Sequence, residues 1–443
     1  MLGEPLRHGD CTLVAFAARP CLRLAHELSQ LAEHDRRIGA RLLERIDALE
    51  PGQDGARFLH RNDATGGDVP ACAQLRNTFL AIYGCSMQIR RSSAVVIAAA
   101  AAVLLAALSA SAAAPAQPTL TQLVGQHLLV RMHGTTPSAA FLGRVRRGEI
   151  GGVVLFQDNG TAAQLPGLVG MLQSAARAGG QLPLLIATDQ EGGIVKRLPG
   201  PPTLAPGSMT TAAIAHAQGL ATGRYLRGLS INTDLAPVLD VPASPSAFIT
   251  PRAFASSAEL VADRGVAFAQ GVDAAGVAAT VKHFPGLGRV HESTDDAPAA
   301  VTASAAALRR DLLPFKRAIA AHVPALMVGT ASYPAYGDNM PAACSPGVVT
   351  KLLRQMLHYG GVTLSDDLDT PGVARRIPPV EATVQAVKVG VDMVYIAGVG
   401  GSGGDAIGKE AYAALLRAAK DGTLPAATLH DSYARIAALK KRY

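Results

Sequence analysis

The chain has 443 residues, 49% of them hydrophobic and 17% charged, with 41 Lys and Arg against 34 Asp and Glu. That composition excludes a disordered chain and is enough to bury one large core or two modest ones. The net charge of +7 is spread without a basic run interleaved with aromatics, which argues against a nucleic-acid partner. Four of the five cysteines, Cys11, Cys21, Cys72 and Cys85, precede residue 87, so Cys344 has no partner in the body of the chain. Neither Cys nor His falls in a zinc-binding spacing, and no metal and no cofactor are expected.

In chain order, residues 1–86 hold ten Arg and no Lys, and Leu28 to Leu49 has helical apolar spacing without evident chemistry. From Met87 the sequence runs through Arg90 and Arg91 into an uncharged stretch, Ser92 to Ala114, and then small residues and a proline. This is the layout of a secretory signal peptide. The expectation is that translation begins natively at Met87 and that residues 1–86 belong to an upstream start. The alternative is a retained membrane anchor, since the run is about as long as the ~20 residues needed to cross a bilayer. Both readings place residues 115–443 outside the cytoplasm, in the periplasm or beyond the cell.

After residue 115, short apolar runs alternate with Ala-rich helical stretches. The expected strands are GGVVLF (151–156), PLLIAT (183–188), INTDLAPV (231–238), VAATVKH (277–283), ALMVGT (325–330), GVTLSD (361–366) and VDMVYIA (391–397). Helices are expected over ELVADRGVAFAQGVDAAG and AAALRRDLLPFKRAIAAH. Such alternation predicts a parallel sheet covered by helices. Seven strands fit a (β/α)8 TIM-type barrel better than a doubly wound sheet, with the eighth unplaced, and no GxGxxG follows the first strand.

Polar residues then stand directly after strand ends: Gln157-Asp158-Asn159, Asp189-Gln190-Glu191, Asp240, Lys282-His283 and Asp366-Asp367. In a barrel these ends converge on one open face, where active sites form. Any one strand-end carboxylate is also a plausible helix cap, but five such clusters together point to a pocket.

The motifs IGGVVLFQDN (150–159), ATDQEGGIVKRL (187–198), INTDLAPVLDV (231–241), PRAF (251–254), KHFPGLG (282–288), LSDDL (364–368) and VGVDMVYI (389–396) occur in order. With them the sequence resembles glycoside hydrolase family three, particularly its single-domain β-N-acetylhexosaminidases, over most of residues 119–440. The resemblance implies the barrel independently of the strand reading. It implies that Asp366 is the nucleophile and that Asp189, Arg197, Arg252, Lys282 and His283 contact the sugar. Asp367 would face elsewhere by strand alternation and serve a structural hydrogen bond.

The chain departs from the family pattern in three places. Ile194 stands where an Arg is common, Leu287 replaces a loop His, and Ser293-Thr294-Asp295 fills the slot of an Asp-Ser-His whose His is the general acid/base. Asp295 is therefore the favoured acid/base, with its pKa raised by burial, and His291 on the same loop is the runner-up; Glu292 and Asp296 are further options. The implied function is a retaining exo-β-N-acetylhexosaminidase releasing N-acetylglucosamine from glycans such as peptidoglycan fragments. A β-glucosidase, a glycoside phosphorylase and a non-catalytic glycan-binding protein are the alternatives.

Overall fold

The computed structural model describes residues 118–398 and 404–443. The helical spacing at 28–49, the leader or anchor at 87–114 and Cys11, Cys21, Cys72 and Cys85 lie outside these. Eight short strands hydrogen-bond side by side, all parallel: β1 (Leu128–Arg131), β2 (Gly152–Val154), β3 (Leu185–Thr188), β6 (Thr233–Asp234), β7 (Ala278–Phe284), β8 (Ala325–Val328), β9 (Val362–Ser365) and β10 (Val394–Ile396). Strand β1 pairs with both β2 and β10. The ring closes where Leu364 and Met393 bridge in parallel and the Ser365 amide donates to the Met393 carbonyl at 2.9 Å. The TIM-type barrel expected from the sequence is the observed fold. A separate antiparallel ribbon, β4 (Gln190–Gly192) with β5 (Val195–Lys196), rises beyond the end of β3.

The unplaced eighth strand is the first in the chain. β1 follows a short Thr119-capped helix, Leu120–Gly125, so the apolar residues of both merge into one run with no turn signal between them. INTDLAPV yields only two residues of regular ladder, because Pro237 has no amide hydrogen to donate. The expected helix over residues 305–322 divides into Ala305–Asp311 and Leu313–Ala320, since Pro314 cannot continue the helix from the preceding turn. The helix over residues 259–276 forms as Ala258–Ala274, with the Ser257 hydroxyl accepting from the Leu260 amide.

Strand alternation sorts the core into two populations. Val130, Val153, Ile186, Leu326 and Ile396 face outward against the helices. Leu129, Val154, Leu185, Ala187, Leu364, Met393 and Tyr395 face inward and fill the barrel, joined by Ile436 and Leu439 from the helix Ala426–Arg442. Each large aliphatic side chain buried there contributes roughly 2 kcal/mol. Because the interior is packed with side chains, open space is left only beyond the carboxyl ends of the strands.

Among the described residues no helix is long and apolar enough to cross a membrane.

Candidate active site

The polar residues that follow the strands line a pocket whose free space, its open mouth included, is about 720 Å³. Its walls include Asp189, Arg197, Arg252, Lys282, His283, Asp295 and Asp366. Its floor is made by Met327, Tyr395 and Ala397, which also belong to the barrel interior. Phe156 and Phe248 supply apolar wall. The guanidinium carbons of Arg131 and Arg197 lie 4.0 and 4.5 Å from the centroid of the Phe156 ring, within cation–π range.

Lys282 lies near the end of the fully buried strand β7, which fixes where its side chain can go. Its ammonium is 2.7 Å from Asp189 Oδ1 and 2.7 Å from Glu191 Oε1. Arg252 donates from Nε and from one terminal nitrogen to the two oxygens of Glu191, at 2.9 and 2.7 Å. Burial opposes a charged Glu191, but Lys282 and Arg252 outweigh it and hold its pKa down to about 2. Burial likewise disfavours the Lys282 ammonium, and Asp189 and Glu191 reverse that, leaving its pKa raised. Arg197 approaches Asp189 more loosely, at 3.6 Å.

His283 is set by Asp240. The Asp240 Oδ2 atom is 2.7 Å from His283 Nδ1, and Oδ1 accepts from the Leu287 amide at 2.6 Å. With Nδ1 turned to the carboxylate, His283 Nε2 faces Arg252 at 3.4 Å. The turn that follows is held by Tyr333, whose hydroxyl donates to the Gly286 carbonyl, and by an Arg289–Asp311 pair at 2.6 Å. Gly288 is required there, because a Cβ would fall 1.8 Å from the Val241 carbonyl oxygen.

The Asp366 amide donates to the Val328 carbonyl at 2.8 Å, so its backbone is tied to the neighbouring strand while its half-buried side chain enters the pocket. Asp367 turns away. Its Oδ1 accepts from the amides of Asp369 and Ala397, both at 3.0 Å, and burial raises its pKa to about 7. Asp295 stands at the pocket rim on the loop that follows the Leu287 turn. Its surroundings enclose it on most sides although one face meets solvent; this burial and the neighbouring Asp366 carboxylate raise its pKa to about 6, with His283 and Arg252 opposing. Thr294 beside it is buried, its carbonyl against Gly372, where a Cβ would lie 1.8 Å from that oxygen.

The structure thus gathers Asp189, Arg197, Arg252, Lys282, His283, Asp295 and Asp366 around one space. It does not bring His291 into the lining: that exposed ring has its Nδ1 3.5 Å from Ser246 Oγ. Glu292 and Asp296 are also absent from the walls. Asp158 pairs with Arg131 at 3.1 Å, and the Asn159 amide donates to the Met132 and Gly134 carbonyls, so that cluster braces a loop. The Gln190 amide does similar work on the Leu198 and Pro201 carbonyls. Ile194, at the tip of the β4–β5 ribbon, is 71% exposed. Glu191 and Asp240, which the sequence offers only as strand-end polar groups with no contact to the sugar, pair with the pocket residues Lys282 and Arg252 and with His283. Among the described residues no group of three or more His, Cys, Asp and Glu is placed to hold a metal ion.

The sequence profile of the glycosyl hydrolase family 3 N terminal domain matches residues 119–439. A protein named Beta-hexosaminidase A from Pseudoalteromonas piscicida is 34% identical over 372 residues, which cover 74% of this chain and 62% of that one. An uncharacterized secreted glycosyl hydrolase of Arthroderma benhamiae is 34% identical over 343 residues, covering 74% and 96%. Among solved structures, a glycoside hydrolase family 3 β-N-acetylglucosaminidase from Paenibacillus sp. matches with a TM-score of 0.70 at 35% identity, over 73% of this chain and 62% of that one. A β-N-acetylhexosaminidase from Beutenbergia cavernae matches with a TM-score of 0.67 at 32% identity, over 74% and 99%. The chain therefore spans less than two thirds of the Pseudoalteromonas and Paenibacillus proteins and nearly all of the other two. With the profile matched along the whole barrel and these relatives sharing a third of its residues, the chain belongs to glycosyl hydrolase family 3.

Proposed function

We propose that the chain is an exported, retaining exo-β-N-acetylhexosaminidase that hydrolyses terminal N-acetylglucosamine from glycans such as peptidoglycan fragments. The observation that carries this reading is that Asp366 and Asp295 face the same pocket as the buried Lys282, the half-buried Arg252 and the buried Asp189. A retaining hydrolase needs one carboxylate to attack the anomeric carbon and a second group ~5 to 5.5 Å away to protonate the departing oxygen. Asp366, on a rigid strand end, is the nucleophile. Asp295 is the acid, and its raised pKa keeps a proton available near neutrality. Asp189, Arg197, Arg252, Lys282 and His283 orient the hydroxyls through charged hydrogen bonds.

Each half-reaction prepares the next. Asp366 bonds to C1 as the C1–O bond breaks and the Asp295 proton goes to the leaving alcohol. The resulting ester removes the Asp366 charge, so one cause of Asp295's high pKa disappears. Asp295 then holds on to its proton less tightly, remains ionised, and takes a proton from the water that opens the ester. Asp295 is favoured over His291 because His291 faces Ser246 outside the lining. Export is supported by the leader-like run after Met87 and by the printed name of the Arthroderma relative.

The test compares aryl β-N-acetylglucosaminide with aryl β-glucoside, with and without phosphate. The expectation is faster turnover of the former and a free sugar, not a sugar phosphate, as product. Asp366→Asn should lower kcat by at least about a thousandfold with the fold intact. Wild-type rates in that variant would remove the nucleophile assignment. Release of N-acetylglucosamine from cell-wall fragments against chitin oligosaccharides addresses the natural substrate.

A further inference from the structure

Glu191 shares the pocket's charge without meeting its surface. Its side chain has no exposed area, and it is absent from the walls. Alternation along β4 explains this: the Gln190 amide goes outward to the Leu198 and Pro201 carbonyls, and Glu191 points to the opposite side, beneath the pocket. One of its oxygens, Oε1, receives both the Lys282 ammonium and an Arg252 nitrogen at 2.7 Å, while Oε2 takes Arg252 Nε at 2.9 Å. Lys282 has Asp189 as a second anion, whereas Arg252 has no other carboxylate within ion-pair distance among the described residues.

These contacts form one connected series around the pocket floor. Asp240 holds His283, His283 meets Arg252, Arg252 and Lys282 share Glu191, and Lys282 reaches Asp189, which Arg197 approaches. Glu191 is the only member that clasps two wall cations from behind. Turning its carboxylate would leave Arg252 with only its 3.4 Å contact to His283 and leave Lys282 half paired.

We propose that Glu191 is a positioning residue for the sugar, fixing the Lys282 ammonium and the Arg252 guanidinium relative to each other through the oxygen they share. This rests on the hydrolase reading above. The free donors of both cations then point into the pocket with little left to reorganise when substrate arrives. Glu191 also sets how much of the Arg252 charge reaches the acid. Asp295 is faced by Asp366 from the end of β9, by His283 from β7, by Arg252 from the turn at Thr250–Arg252 and by Asp296 on its own loop. Glu191 itself is faced by Lys282 and Arg252, with the buried Asp234 nearby. Neutralising Glu191 leaves Arg252 uncompensated, which favours ionised Asp295 and moves its titration toward acid.

The experiment measures kcat, KM and their pH dependence on an aryl β-N-acetylglucosaminide for wild type, Glu191→Gln and Glu191→Asp, with thermal midpoints for all three. A wild type that fails to turn this substrate over sinks the functional reading and not the role of Glu191 as such. With active wild type, Glu191→Gln should lose about tenfold or more in kcat/KM, mostly in KM. Its alkaline limb should shift to lower pH by roughly half a unit. Glu191→Asp keeps the charge but shortens the reach, so it should raise KM several-fold and leave the limb in place. A folded Gln variant with wild-type KM and an unmoved limb overturns the proposal. If the Gln variant does not fold, the Asp variant decides: raised KM with an unmoved limb supports the clasp, and wild-type KM overturns it.

Discussion

The two ends of the barrel both bury charge, yet they treat it differently. At the amino ends of the strands, Asp392 is saturated. Its oxygens accept from the Thr363 amide at 2.8 Å, from Arg354 at 2.6 Å, from Arg435 at 2.8 and 3.0 Å, and from the Ser432 hydroxyl. Burial works against the Asp392 anion, but Arg354 and Arg435 outweigh it and keep its pKa below the usual carboxylate range. There both Asp392 oxygens are met by protein donors, and none of Asp392, Arg354 and Arg435 lines the pocket at the other end. At the carboxyl ends, Asp189, Glu191, Lys282 and Arg252 pair just as closely, but the cations also border an open pocket. Burial of charge is common to both ends; hydrogen-bonding capacity left facing a cavity belongs to one. That second property separates a site from a brace.

Substitutions at the two ends should therefore fail in different ways. The largest effect is expected at the open end. Asp295→Asn should reduce hydrolysis of a poor leaving group by about 10² to 10⁴-fold, and that of an activated aryl glycoside much less, because only the former needs the proton. In wild type, kcat/KM should fall as pH rises past about 6, where Asp295 loses its proton, and this limb should vanish in the Asn variant. Equal losses on both substrates would remove Asp295 as the acid. At the closed end, Asp392→Asn leaves Arg354 and Arg435 without their anion. It should cost about 3 kcal/mol of stability by chemical denaturation while leaving KM unchanged. A changed KM with unchanged stability would break the distinction between the ends.

A pH-dependent effect on stability concerns Lys440, buried against Gln126 Oε1 at 2.5 Å and the Gly151 carbonyl at 2.6 Å. Burial pushes its pKa down to about 7. Between pH 7 and about 10 the unfolded chain holds this proton and the folded chain does not, so stability should rise with pH across that window, by up to about 1.4 kcal/mol per unit. Below pH 7 both states are protonated and this contribution stops changing. Lys440→Met should flatten the rise without altering turnover. An unchanged slope would show that Lys440 keeps its charge when folded.

Much of this was legible in the sequence because barrel strands end on residues of a kind that a packed interior would not hold. Lys282-His283 and Asp366-Asp367 follow apolar runs, and the break in pattern marks the rim. β1 was illegible because a one-turn helix and a four-residue strand leave a single apolar run with no punctuation. Glu191 was seen as one of several strand-end carboxylates, but its partners lie 61 and 91 positions away, and only folding shows that Arg252 and Lys282 share it. The contrast between Asp295 and His291 was similarly hidden. They sit four positions apart on one loop, and which one faces inward depends on Thr294 packing against Gly372.

The helix Ala426–Arg442 inserts Ile436 and Leu439 into the barrel, and Tyr395 and Met327 seal the space above them. Among the described residues the pocket is thus closed from below and open toward the carboxyl ends of the strands. The residue that goes in last must back out first, so traffic is one sugar at a time, and a spent sugar that lingers keeps its successor waiting outside.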